Sequence, residues 1–258
     1  MKLTDHCYAV TGLYFSVPWN INAGFIVGGK KTLIIDSGSN TGSAQTIYGY
    51  AKIVKPDNEL LLINTEQHLD HIGGNGYFSE KGVSLYGHAS IQRNQNELSS
   101  MLEEINSGIA NTVRREHREG FIAFKNTAIV NPDKKIDHDM ELGIGGMDVQ
   151  VMLTPGHTPS NISIYQRDEN VLYCGDCILP EFIPNLEEGT IPDWQSWLAS
   201  LEKIQRLDIE IMVPGHGNVL TGKTNIGQEI ERIKNIIDIA IQNKKAPTTT
   251  SRDYENLS

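Results

Sequence analysis

Thr65-Glu66-Gln67-His68-Leu69-Asp70-His71-Ile72-Gly73-Gly74 places two imidazoles and two carboxylates within six residues and follows them with a glycine pair. Such a cluster suits one or two divalent cations, and the glycines are expected to let the backbone turn tightly behind it. So short a segment does not comfortably fill a four-ligand site alone. The remaining ligands are expected from later loops, where three isolated candidates stand: His157 in Thr154-Pro155-Gly156-His157-Thr158, Asp176 after Gly175, and His216 in Pro214-Gly215-His216-Gly217. Taken singly, each has an ordinary explanation. A histidine in a Pro-Gly turn is more often a surface or core-edge residue, Glu66 can satisfy free amides at a helix start, and Asp176 can simply form a turn. Together they mean more, because they follow strand ends and half of the chain's eight histidines lie among them.

Working outward, residues 59–64 read as a buried strand that runs straight into the cluster. The C-terminal ends of such strands are where layered α/β proteins place their chemistry. Upstream, residues 7–15 and 22–27 read as strands, and 32–36 as a strand buried on both faces that ends in Asp36-Ser37-Gly38. Residues 41–54 carry Ile47, Ala51 and Val54 on one helical side. Downstream, a short helix is expected from Asn75 and a strand at 83–86. Residues 88–120 are polar and helix-friendly, with a broken apolar stripe through Ile91, Leu98, Met101, Leu102, Ile105 and Ile109. They read as a helical insertion that overhangs the site, split in two near Asn106-Ser107-Gly108, and the mixed-charge run 114–119 reads as a solvated face. Strands are expected at 128–130, 147–153 and 209–213, with a turn at 131–135 and a hairpin formed by 161–165 and 170–173. Asp193 is expected to cap a helix containing Trp194, Trp197 and Leu201, and a last helix covers 228–241. The recurring unit of strand, Pro-Gly or Gly-Asp turn and polar ligand suggests one domain over residues 1–243, including the 88–120 insertion, and a polar C-terminal tail at 244–258.

The chain has 258 residues and a formal charge of -10, which disfavours nucleic acid or an anionic membrane as a general partner. No window approaches the roughly 18 apolar residues of a membrane span, and no apolar run follows the N-terminus as a secretory signal requires. Three cysteines, Cys7, Cys174 and Cys177, cannot all pair with one another, which favours a reducing cytoplasm. Cys174 and Cys177 flank Asp176, but the first ends an apolar strand and no second pair exists, so both read as packing groups. Gly28-Gly29-Lys30 reads as a hairpin turn and lacks the spacing of a phosphate loop.

Glu66-x-His68-x-Asp70-His71, followed in order by His157, Asp176 and His216, resembles the metallo-β-lactamase-fold superfamily, closest in style to its small glyoxalase II-like hydrolases. The early stretches Asn22-Ala23-Gly24-Phe25-Ile26-Val27 and Leu33-Ile34-Ile35-Asp36-Ser37-Gly38 extend the resemblance over roughly residues 8–240. It implies a four-layer αββα sandwich of two mixed β-sheets flanked by helices, with a metal site at one edge. It also implies that a first ion takes Glu66, His68 and His157, a second takes Asp70, His71 and His216, and Asp176 bridges them. Glu66 stands where the family usually has histidine. Carboxylate for imidazole hardens the ligand set and shifts preference from zinc toward iron or manganese without excluding zinc. The cofactors implied are two divalent metal ions, zinc first, or a single ion if Glu66 weakens the first position. The activity implied is hydrolysis by a metal-bound hydroxide, with Asp70 both ligating and orienting it. Aromatic and aliphatic residues in the surrounding loops (Phe15, Pro18 and Trp19, then Phe182 and Ile183) suit a small ester, thioester or lactone. A phosphodiester comes next, and a non-hydrolytic di-iron redox or sensor protein is the reading from another class. A homo-oligomer is possible through the insertion or the tail.

Overall fold

The computed structural model describes residues 1–13, 20–108, 119–180, 182–187 and 189–247. Two six-stranded sheets form its centre. The first contains β1 (Cys7–Leu13), β2 (Ile21–Val27), β3 (Lys31–Ile35), β4 (Glu59–Ile63), β5 (Ser84–His88) and β6 (Lys134–Ile136), side by side in that order. Its opening strands are an antiparallel meander, and from β3 onward neighbours run parallel. The second contains β7 (Met140–Gly143), β8 (Asp148–Leu153), β9 (Ile162–Gln166), β10 (Val171–Gly175), β11 (Ile211–Pro214) and β12 (Leu220–Thr221), again in sequence order across the sheet. There only β10 and β11 run parallel.

The two-residue period of a strand explains how the layers assemble. In β4, Leu61 and Ile63 face the second sheet and meet Val151, Ile164, Tyr173 and their neighbours in the inter-sheet core. Leu60 and Leu62 face the other way, onto α1 (Thr41–Val54) and α3 (Asn75–Glu80). On the far side, α6 (Ile191–Gln205) and α7 (Lys223–Asn243) cover the second sheet through Trp197, Leu201, Ile204, Ile230 and Ile233. The result is the expected αββα sandwich. Truncating a fully buried residue such as Leu62 to alanine is expected to cost about 2–5 kcal/mol.

Helix ends follow local chemistry. The side chain of Asn40 accepts from Ser43 N at 2.9 Å and starts α1. At α6 the expected cap, Asp193, sits one turn inside, and Thr190 is the capping residue. Asp193 Oδ2 accepts from the Thr190 backbone N–H at 2.8 Å, so the acid serves as the returning half of a capping box.

Residues 128–130 form no strand, and β6 lies where a turn was expected. Side chains satisfy this backbone in place of a neighbouring strand: Gln95 Oε1 accepts from Ile129 N at 3.0 Å and Asn75 Nδ2 donates to Val130 O at 2.8 Å. The insertion contains α4 (Gln95–Gly108) and α5 (Glu119–Ala123), both packed on the short helix α2 (Leu69–Ile72) through Leu98, Leu102 and Phe124. The mixed-charge run 114–118, Phe15, Pro18, Trp19 and the tail from 248 lie outside the described residues. Among the described residues, no helix is long and apolar enough to cross a membrane.

Candidate metal centre

Four strands, β4, β8, β10 and β11, deliver the residues just past their C-terminal ends to one cluster. Beyond β4 the chain passes Asn64 and Thr65, presents Glu66 and His68, and enters α2 with Asp70 and His71. The turn is tight, but Gly73 and Gly74 do not supply it with unusual dihedral angles, since Gly73 is helical at φ -60 and Gly74 at φ -84. Their need is for close approach. A Cβ on Gly73 would lie 2.0 Å from Ser39 O, and one on Gly74 would lie 2.2 Å from Ser37 O. The loop after β3 is thereby pressed against α2, where Ser37 N and Ser37 Oγ both donate to His71 O at 3.0 Å.

His157 follows β8, Asp176 follows β10 and His216 follows β11. All seven expected residues converge. His68 Nδ1 lies 2.7 Å from Glu66 Oε1 and 3.2 Å from His157 Nε2. His216 Nε2 lies 3.1 Å from Asp70 Oδ2. Asp176 Oδ2 stands 3.4 Å from both His157 Nε2 and His216 Nε2, while its Oδ1 is 3.4 Å from His71 Nε2. Glu66 Oε1 also lies 3.3 Å from His71 Nε2. Two donor sets follow from these contacts: Glu66, His68, His157 and Asp176, and Asp70, His71 and His216.

The arrangement fits metal ions on its own evidence. His71 Nε2 and Asp176 Oδ1 are buried with no well-formed hydrogen bond, a costly state that a cation would relieve. Two donors about 2.1 Å from one ion at a tetrahedral angle lie about 3.4 Å apart, which is the spacing of the three Asp176 contacts, the other contacts being shorter, down to 2.7 Å. Three carboxylates share this small volume, and their repulsion calls for positive charge.

Electrostatics point the same way. Burial alone would raise the Asp70 and Asp176 carboxyls, but the neighbouring His71 and His216 outweigh it and hold both below the usual carboxylate range. Burial alone would lower His68, but the hydrogen bond and charge of Glu66, with Asp70 and Asp176 behind, raise it to about 9. A proton held this firmly marks where a cation belongs.

Supporting residues lie directly behind the donors. Asp36 accepts from Thr65 N at 2.7 Å and Thr65 Oγ1 at 2.6 Å, and faces His71 Nδ1 at 3.0 Å. It thereby accepts a hydrogen bond from Nδ1–H and leaves the Nε2 lone pair facing the centre. His216 is held likewise, with Nδ1 donating to Asn20 O at 2.6 Å. Asn22 clamps that loop, its Nδ2 donating to Pro214 O at 3.0 Å and Gly217 O at 2.8 Å. The sequence signal for Asp36 was its place in a polar turn at the end of a buried strand; the structure adds that it sits at φ 61, a left-handed backbone uncommon outside glycine.

The cluster opens into a cavity of about 640 Å³. One wall is the face of α4 carrying Glu97, Ser100, Met101 and Glu104, so the insertion does overhang the site; Leu179, Phe182, Ile183 and Asn185 form another.

Residues 16–216 match the sequence profile of the metallo-beta-lactamase superfamily, and the chain belongs to it. It is 22% identical over 237 residues to the beta-lactamase-like protein 2 homolog of Caenorhabditis elegans, covering 89% of this chain but 65% of that protein. It is 24% identical over 216 residues to the acyl-coenzyme A thioesterase MBLAC2 of Gallus gallus, covering 77% of this chain and 73% of that one. Among solved structures, a metallo-beta-lactamase family protein of Thermus thermophilus superposes with a TM-score of 0.66 at 18% identity, covering 99% of this chain and 88% of that chain. Family and donor set together support metal-dependent hydrolytic chemistry.

Proposed function

We propose that the protein is a metal-dependent hydrolase of small acyl substrates: esters, thioesters or lactones. The observation that carries this is the meeting of two donor sets across Asp176 at the floor of a partly apolar cavity. Glu66, His68 and His157 would hold one ion, Asp70, His71 and His216 the other, and Asp176 would serve both. Zinc is the first candidate, with iron and manganese favoured by the hard oxygen of Glu66. When bound, such a pair of ions acidifies a water molecule and polarises the scissile carbonyl.

The chain's own residues do the rest. Asp70 Oδ2 faces His216, which leaves Oδ1 to accept a hydrogen bond from the attacking water and orient it. Asp36 and the Asn20 carbonyl fix the two ring tautomers so that both Nε2 atoms remain donors to the centre. Leu69, Met101, Leu179, Phe182 and Ile183 seat an acyl chain and keep water from it. Thioester cleavage is the activity named for the Gallus gallus relative. A reducing cytoplasm agrees with three buried, unpaired cysteines. The test is a panel of ester, thioester and lactone substrates with metal-loaded wild type and Asp70→Ala. Turnover without any reductant, lost in the variant, is expected. Full turnover after metal stripping would refute the proposal.

A further inference from the structure

Beyond the metal cluster, the cavity wall carries a single cationic side chain among the described residues, Arg93. It is fixed from several directions. Its backbone N–H donates to Asn131 Oδ1 at 2.8 Å and its carbonyl accepts from Asn131 Nδ2 at 2.9 Å. Its Nε is buried and faces Glu97 Oε2. Glu97 is itself anchored, because its Oε1 accepts from Asn94 N at 3.0 Å and Asn94 Nδ2 at 2.7 Å at the start of α4. The side chain is only 25% exposed, and among the described residues its two terminal nitrogens have no hydrogen-bond partner.

We propose that Arg93 is a substrate-binding residue whose terminal N–H fork receives a free carboxylate at the far end of the acyl substrate. This rests on the hydrolase reading above and narrows it to half-esters or half-thioesters of dicarboxylic acids. A planar guanidinium whose Nε faces Glu97 presents, at its terminal nitrogens, the two parallel donors that match a carboxylate. The neighbouring wall is apolar at Leu69, Met101 and Leu179, which strengthens a charged hydrogen bond made there. Charge limits the ligand to one negative unit. Glu97 pairs with the arginine, and Glu104 stands two turns along the same face of α4, so a doubly charged phosphoryl group meets more repulsion there than a single carboxylate. A cavity of about 640 Å³ lined by both the metal cluster and Arg93 has room for a short diacid with a contact at each end. A helix-stabilising ion pair, four residues apart, is the plain role of Arg93 and Glu97. That role leaves the two terminal nitrogens and their position on the cavity wall unexplained.

The test compares a glutaryl thioester, which keeps a free carboxylate, with the uncharged pentanoyl thioester of the same thiol. Wild type is expected to prefer the glutaryl compound on the order of 10- to 100-fold in kcat/KM, chiefly through KM. Arg93→Gln should collapse that ratio toward one, Arg93→Lys should restore part of it, and raised salt should shrink it. A wild-type ratio near one, or equal losses on both substrates in Arg93→Gln, would overturn the proposal. If neither thioester turns over, the hydrolase reading fails separately, and calorimetry with glutarate decides the subsite. Binding lost in Arg93→Gln supports it, whereas absent binding, or tighter binding of inorganic phosphate, overturns it.

Discussion

Gly215→Ala separates the fold from the centre it carries. A Cβ at this position would stand 2.0 Å from Asp176 Oδ1, 2.8 Å from His71 Cε1 and 3.2 Å from the Gly175 carbonyl carbon. The first of these is about 1.4 Å short of ordinary contact, which begins at 3.4 Å. The backbone is not free to yield, because Gly215 N donates to Gly175 O at 2.8 Å and Gly215 O accepts from Asn22 N at 2.7 Å. Asp176 must therefore move; it belongs to the donor set of Glu66, His68 and His157, its Oδ2 also stands 3.4 Å from His216 Nε2, and the proposal above has it serve both ions. Overpacking by one methyl costs about 1–3 kcal/mol, of which the lost chain entropy of glycine offsets about 0.4–1 kcal/mol. A ligand displaced by more than 1 Å is another matter, and a loss on the order of 100-fold in metal affinity is expected. Calorimetric titration of metal-free protein with zinc and manganese, beside thermal melts, reads both quantities. A folded Gly215→Ala protein that binds metal with wild-type affinity and stoichiometry would refute the placement of Asp176 between the ions.

Glu66→His restores a nitrogen donor and should raise zinc affinity relative to manganese in competition titrations; an unchanged preference would remove Glu66 from the ligand set. Asp36→Asn should turn the His71 ring to the other tautomer and weaken metal binding about 10- to 100-fold, measured by chelator competition, with wild-type affinity counting against the role of Asp36. In metal-free protein, folding raises His68 from 6.5 to about 9, so its stabilising contribution is present below pH 6.5 and lost as pH climbs to about 9. Chelator-treated melts should show Tm falling over that window, whereas metal-loaded protein should not share the fall because the ion has replaced the proton. A flat chelator-treated profile would contradict this.

Much of the fold is legible because its strands are simple. Leu33–Ile35 and Leu60–Ile63 are continuous apolar runs that can only be buried on both faces, and each is followed by residues that need a polar environment. The donors were legible for the same reason, as each stands just past a strand end. What escaped the sequence depended on partners distant in the chain. Residues 128–130 carry the apolar character of a strand, yet Gln95 and Asn75, far upstream, take their backbone hydrogen bonds. Strand β6 is short and charged, and it forms by pairing with β5. Asp36 looked like a turn residue until His71, 35 positions later, was found against it. Arg93 gave no signal, because only packing of the insertion over the cluster brings it to the cavity wall.

The count of divalent ions per chain, taken by native mass spectrometry on protein purified without added metal and again after saturation, is the most direct trial of the centre. Two ions per chain at saturation, both removed by chelator, are expected. A chain that stays folded and takes up none would contradict the assignment of its seven converging side chains to a metal centre.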